Sequence, residues 1–143
     1  MDRVDQLLRG ISVSVPAGQK LYGVMPGDSV RVKATIDYRG PRWDDYFYAA
    51  IGIDGIFGFD EIWRKQVDTH FDASTDWVTY ELTVEIPIIK IAILPWTPGW
   101  FDIYAKLTRP GLTGLFTPTL DNVIEVLLAA EFDHFTIDSY DIV

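Results

Sequence analysis

The sequence predicts an all-β fold, a two-sheet antiparallel sandwich of seven or eight short strands. Apolar residues recur with period two along most of the chain, not with the wider spacing of a helix. Gly, Pro and Asp punctuate the apolar runs at intervals of about ten residues, as in sandwiches. The chain has 143 residues, is 48% apolar and holds no cysteine, so it suits one domain with a core of its own and no disulfide staples. A single closed barrel is the alternative architecture.

Residues 1–10 read as a lead-in, a short helix or a frayed arm, and residues 11–143 as the single domain. Ile11, Val13 and Val15 alternate with serines until Pro16-Ala17-Gly18 ends the run. The turn Pro26-Gly27-Asp28 launches the clearest strand, with Val30, Val32, Ala34, Ile36 and Tyr38 on one face and Arg31, Lys33, Thr35 and Asp37 on the other. Residues 46–53 are more evenly apolar and read as a central strand. Asp54-Gly55 then suits a two-residue hairpin turn into residues 56–63. Residues 77–86 alternate again, with Val78, Tyr80, Leu82, Val84 and Ile86 inward. Pro98-Gly99 leads into a strand whose inward set is Phe101, Ile103, Ala105 and Leu107. Residues 122–127 and 135–142 supply the last strands. Over residues 121–132 a helix competes with a strand, because Leu127-Leu128-Ala129-Ala130 are good helix formers and Asp121 suits a cap. Tyr38, Phe47, Tyr80 and Phe101 are expected in the core.

Charge narrows the function classes. The formal net charge is −9, against a phosphate-backbone partner, which needs clustered Lys and Arg. Residues 1–65 hold nine basic and nine acidic side chains, and residues 66–143 hold three and twelve, so the acidity lies in the second half. That asymmetry suits a solvated acidic face that aids solubility. Residues 1–10 lack the apolar stretch of a secretion signal. The longest apolar stretch, residues 86–96, is too short for a transmembrane segment and is interrupted by Pro87, Lys90 and Pro95. The compartment stays open between the cytoplasm, release with a virion or by lysis, and a fragment of a secreted protein.

The order PGDSVRVKATIDYRG (26–40), a central strand, WVTYELTVEIP (77–87), PGWFDIYAKL (98–107) and DNVIEV (121–126) resembles immunoglobulin-like domains of bacterial surface proteins, notably the cell-adhesion-related type. The likeness covers about residues 10–127 and implies an immunoglobulin-like sandwich with no catalytic residues. The cysteines of an antibody-type domain are absent, and residues 132–143 extend beyond the pattern.

Catalytic constellations are poor. His70 and His134 are the only histidines, and neither neighbours a nucleophile elbow, a His-Glu-x-x-His pair or a phosphate loop. Asp60-Glu61 and Asp44-Asp45 read as solvated loop charges, because neighbours on a strand point to opposite faces. Asp68, Asp72 and Asp76 read as turn formers rather than calcium ligands; no metal and no cofactor is expected. The chain is therefore expected not to be an enzyme.

Aromatics carry more. Twenty of 143 residues are aromatic, five of them Trp. In an immunoglobulin-like topology the loops at 39–45 and 108–119 share one end, which would present Arg42, Trp43, Arg109, Leu112, Leu115 and Phe116, residue types that dominate contact hot spots. The bland alternative is that Trp43 and Phe116 plug that end. The opposite end would carry residues 86–96, with Ile89, Ile91, Ile93 and Trp96, beside Leu21, Tyr22, Val24 and Met25. Such a segment folds back as a lid, buries against another subunit or meets lipid. The leading expectation is thus a structural or adhesion module acting through protein contacts, with itself among the candidate partners, as a surface-protein tile or virion component. The alternative is a carbohydrate-binding module in which Trp63, Trp77 or Trp100 stacks on sugar. Residues 74–87 also resemble part of jelly-roll sugar-binding modules, with Trp77 and Thr79 outward beside Glu81.

Overall fold

The computed structural model describes residues 12–13, 19–89, 99–108, 114–127 and 134–143. Nine extended elements follow one another: β1 (Ser12–Val13), β2 (Leu21–Val24), β3 (Ser29–Gly40), β4 (Trp43–Gly55), β5 (Gly58–Phe71), β6 (Ser74–Pro87), β7 (Trp100–Leu107), β8 (Leu115–Phe116) and β9 (Leu120–Val126). They form two sheets. One has the order β1-β3-β6; the other has the order β2-β9-β7-β4-β5, with β8 paired to β7. Among the described residues there is no helix, and none long and apolar enough to cross a membrane.

Alternation builds the smaller sheet. Val30, Val32, Ala34 and Ile36 of β3 are buried, and β6 answers with Leu82, Val84 and Ile86 in one antiparallel register from Ser29 opposite Pro87 to Tyr38 opposite Val78. Its solvent face is a row of cross-strand polar pairs. Arg31 meets Glu85 at 2.8 Å, and Thr79 donates to Asp37 at 2.6 Å. In the larger sheet, β4 and β7 are central and buried on both faces in their middle stretches, Ala49–Gly52 included, so their sequences do not alternate. The two sheets close on one core containing Phe47, Ile51, Trp63, Phe71, Phe101, Ile103 and Ile124. Each fully buried side chain of this size contributes about 1.5–3 kcal/mol through the apolar surface it removes from water. Rings interlock there: Trp63 stands edge-on to Phe101, and Phe71 lies against both Tyr38 and Tyr80. Tyr38 and Tyr80 are half-buried at the margin of the core.

The structure corrects several expectations. The β4–β5 turn is centred on Ile56 and Phe57, not on Asp54-Gly55. Gly55 still pairs with Gly58, and Gly58 alone in the turn takes a positive φ, of 106°. Residues 39–45 are mostly strand, which leaves only Pro41 and Arg42 between β3 and β4. Residues 21–24, for which no strand is expected, form β2 and pair in parallel with β9. Residues 121–126 are strand, while the competing helix falls partly on residues outside those described. Residues 135–142 form no strand and are exposed throughout. Alternation gives a segment the capacity to pair, but a strand exists only where a neighbour completes its hydrogen bonds. Residues 1–10, the expected lead-in, lie outside the described residues.

Candidate functional site

Strand direction defines two poles. At the first, Pro41 and Arg42 connect β3 to β4, Trp43 pairs with Phe71, and the Thr108 N–H donates to the Tyr46 carbonyl at 3.0 Å. At the second lie residues 25–28, the β4–β5 turn, Ile88 and Ile89, Gly99 and Leu127. There Gly27 donates to the Ile88 carbonyl, Val126 to that of Gly99 and Leu127 to that of Val24, each at 2.8 Å.

Of the residues expected at the first pole, Arg42, Trp43 and Phe116 are among those described. Arg42 is exposed. Trp43 packs on the core, and its indole N–H donates to Asp45 Oδ2 at 3.0 Å. Phe116 pairs with Lys106, near the first-pole end of β7. It sits on the outer face of the larger sheet, stacked on Tyr104 with ring centres 6.2 Å apart and with the Lys106 ammonium nearby. Arg109 and Leu112 lie outside the described residues, as do Ile91, Ile93 and Trp96 of the second pole.

The second pole is the apolar one. Ile89 is exposed there, and its carbonyl accepts from the Trp63 indole N–H at 2.9 Å. Leu21, Tyr22, Met25 and Leu127 are exposed on the β2–β9 side. The turn residues Ile56 and Phe57, at 94% and 98% exposure, project furthest into water. Sequence reasoning missed these two by placing the turn two residues early. The glycine at 58, the residue a turn of this kind needs after its two central positions, was the available signal.

The three tryptophans considered for sugar stacking differ. Trp63 is 3% exposed and belongs to the core, so it offers no face to a ligand, a correction to the expectation. Trp100 is covered by Lys20 on its ring and by Tyr22 edge-on at 5.2 Å. Trp77 is 50% exposed, and the Arg39 guanidinium lies 4.6 Å from its ring centre.

A polar cluster that sequence reasoning also missed occupies the outer face of the larger sheet. The Tyr104 hydroxyl donates to Glu61 Oε1 and the Tyr48 hydroxyl to Oε2. Arg64 stands 3.6 Å from Oε2, and the Lys106 ammonium lies over the Tyr48 ring at 4.6 Å. Burial works to raise the Glu61 carboxyl, but the hydroxyls of Tyr104 and Tyr48, then Lys106 and Arg64, outweigh it and hold the group below its usual range. Burial and the adjacent carboxylate push Tyr48 up to about 12 and Tyr104 further still. Glu61 is thus no solvated loop charge. A bulge at Ile62, between the pairs Ile51–Trp63 and Gly52–Glu61, turns it towards the tyrosines.

Near the first pole, His70 on β5 bridges two carboxylates, with Nδ1 2.5 Å from Asp44 Oδ1 and Nε2 3.0 Å from Asp72 Oδ1. These hydrogen bonds, Asp44 first and Asp72 second, raise its pKa above the ordinary imidazole value. Of the aspartates expected in a turn, Asp68 lies in β5, Asp72 at the β5–β6 corner and Asp76 in β6. Among the described residues no group of three or more His, Asp or Glu is placed to hold a metal ion.

No family model and no curated protein matches the chain.

Proposed function

We propose that the chain is a non-catalytic, immunoglobulin-like module that works through protein contacts made at its second pole. The observation that carries the reading is that Leu21, Tyr22, Met25, Ile56, Phe57, Ile89 and Leu127, all exposed, lie towards one end of the sandwich, from β2 at one edge of the larger sheet to the β4–β5 turn at the other. Single exposed apolar residues are ordinary, whereas a group on one surface favours a partner that covers it. Strand order supports the immunoglobulin-like part. Taking β1, β3 and β6 as strands A, B and E puts β4, β7 and β9 at C, F and G. β5 then extends that second sheet as variable-type domains extend theirs. Such a module serves as one tile of a surface protein or as a component of a virion.

The test replaces Ile56 and Phe57 with Ser in one variant and follows association by sedimentation over a broad concentration range. The turn residues make no core contact, so the variant keeps its fold, which circular dichroism checks. Wild-type association that weakens in the variant supports the reading. Identical association behaviour of the two proteins overturns the pole as the contact.

A further inference from the structure

We propose that residues 135–143 of one copy add as an antiparallel strand to the open edge of β5 in a second copy, with Asp141 opposite Lys65. This goes beyond the pole contact, concerns a different surface and stands or falls on different variants.

Phe135 is 100% exposed, and Ile137, Tyr140, Ile142 and Val143 are exposed as well, in a stretch that forms no strand. An extended apolar segment of this kind is what a free sheet edge pairs with, because the main chain supplies affinity and alternate side chains supply selection. Among the described residues, two long strands have such an edge, β5 and β6.

Charge chooses between them. β6 presents Asp76, Glu81 and Glu85, which oppose a segment bearing Asp138 and Asp141. β5 offsets Asp60, Glu61 and Asp68 with Arg64 and Lys65, whereas β6 has no basic residue, and with Arg64 paired to Glu61 the cation left for a partner is Lys65. Lys65 shares the core-side face with Trp63 and Val67, both packed in the core, yet it is itself exposed. An inward-facing charge on an edge strand repels unspecific strand addition. The same charge admits a strand that brings a carboxylate to that position. With Asp141 there, antiparallel register places Val143 beside Trp63, Ile137 beside Thr69 and Phe135 beside Phe71, so these three extend the core face, while Tyr140 and Ile142 fall opposite Gln66 and Arg64 on the outer face. Asp138 then falls opposite Asp68 on the solvent face, an unfavourable pair that tunes the contact weaker.

The experiment measures self-association of the full chain by sedimentation. Deleting residues 134–143, or introducing Lys65→Glu or Asp141→Lys, raises the dissociation constant by more than about tenfold, and the K65E/D141K double variant restores it. Asp138→Asn tightens it severalfold. A copy lacking residues 134–143 mixed with a K65E copy forms a one-to-one complex, although each alone associates poorly, because one keeps the acceptor and the other the donor. All of these measurements are made in the I56S/F57S background, which lacks the pole contact, and that background keeps this association. Association that survives the deletion, charge reversals that do not compensate, or a wild-type chain that stays monomeric throughout overturns the proposal. So does protection of the segment's amides from exchange in a monomer, which would place the strand on its own chain.

Discussion

The Asp102 carboxylate accepts the backbone N–H of Asn122 at 2.7 Å through one oxygen, and through the other it accepts the N–H of Asp54, also at 2.7 Å. One side chain on central β7 therefore ties down the start of β9 on one side and the end of β4 on the other. Asn122 takes a left-handed φ of 51°, a conformation that a non-glycine residue holds when its surroundings fix it. Asp102→Ala would leave both N–H groups without their acceptor and is expected to cost about 2–4 kcal/mol. Asp102→Asn also destabilises, since its amide can accept only one of the two. Urea unfolding of the three proteins checks this, and a loss within error for the alanine variant would sink it.

Gly52 is the second point of no tolerance. A Cβ built there would stand 1.9 Å from the Asp60 carbonyl oxygen, a backbone atom that cannot swing away. The close approach follows from the bulge at Ile62, which draws β5 over β4 at this position. Gly52→Ala is expected to destabilise by about 3 kcal/mol or more, by strain and not by lost burial. Gly27→Ala, where the space is open but φ is 100°, is the milder comparison, with backbone strain as its only cost. Thermal unfolding ranks the two, and equal effects would show that crowding at Gly52 is not the cause.

Where side chains alternate against water on one face, the sequence was enough. β3 and the second half of β6 were readable residue by residue, because Val30, Val32, Ala34 and Ile36 and then Leu82 and Val84 each sit between polar neighbours; Val78, expected inward, is exposed near the open end of β6. Legibility failed where the outer face of the larger sheet also carries structure. Tyr48, Glu61, Asp102 and Tyr104 look like the wet half of an alternating strand, yet Asp102 and Tyr104 are buried. Their partners come from strands far apart in sequence, and nothing local encodes that meeting. The turn at Ile56-Phe57 was misplaced for a related reason. Asp54-Gly55 has the composition of a tight turn, but the Asp54 N–H is held by Asp102 and the ladder runs on to Gly58. Residues 135–142 show the converse, since strand-like alternation there meets no partner within the described chain.

The Glu61 cluster makes stability fall at both ends of the pH scale. Glu61 has a folded pKa below its unfolded value, so its contribution is present above the usual carboxylate range and is lost as pH falls through the lowered folded pKa. Tyr48 behaves oppositely at high pH. Its folded pKa is pushed up to about 12 from the ordinary tyrosine value of 10.0, so the unfolded chain ionises first and stability falls as pH rises between those values. Glu61→Gln is expected to flatten the acid limb and to bring the Tyr48 titration back towards 10.0. Tyrosinate absorbance and unfolding free energy measured across pH decide this. An unchanged tyrosine titration in E61Q would refute the coupling.

His70 supplies a third pH response, centred nearer neutrality. Its imidazolium donates to Asp44 at the start of β4 and to Asp72 at the β5–β6 corner, so the protonated ring ties these two segments together at the first pole. Because the folded pKa is raised, the contribution is fully present below the ordinary value of 6.5 and is lost as pH rises through the folded midpoint. The ring is exposed, so solvent and salt screen both contacts, and added salt is expected to lower the midpoint. Titration of the His70 ring protons by NMR is expected to give a midpoint above 6.5 in low salt, falling in His70-retaining variants that carry Asp44→Asn or Asp72→Asn, with the Asp44 change having the larger effect. A midpoint at or below 6.5 in the wild type, or one indifferent to both substitutions, would mean that the two carboxylates do not hold the ring in solution.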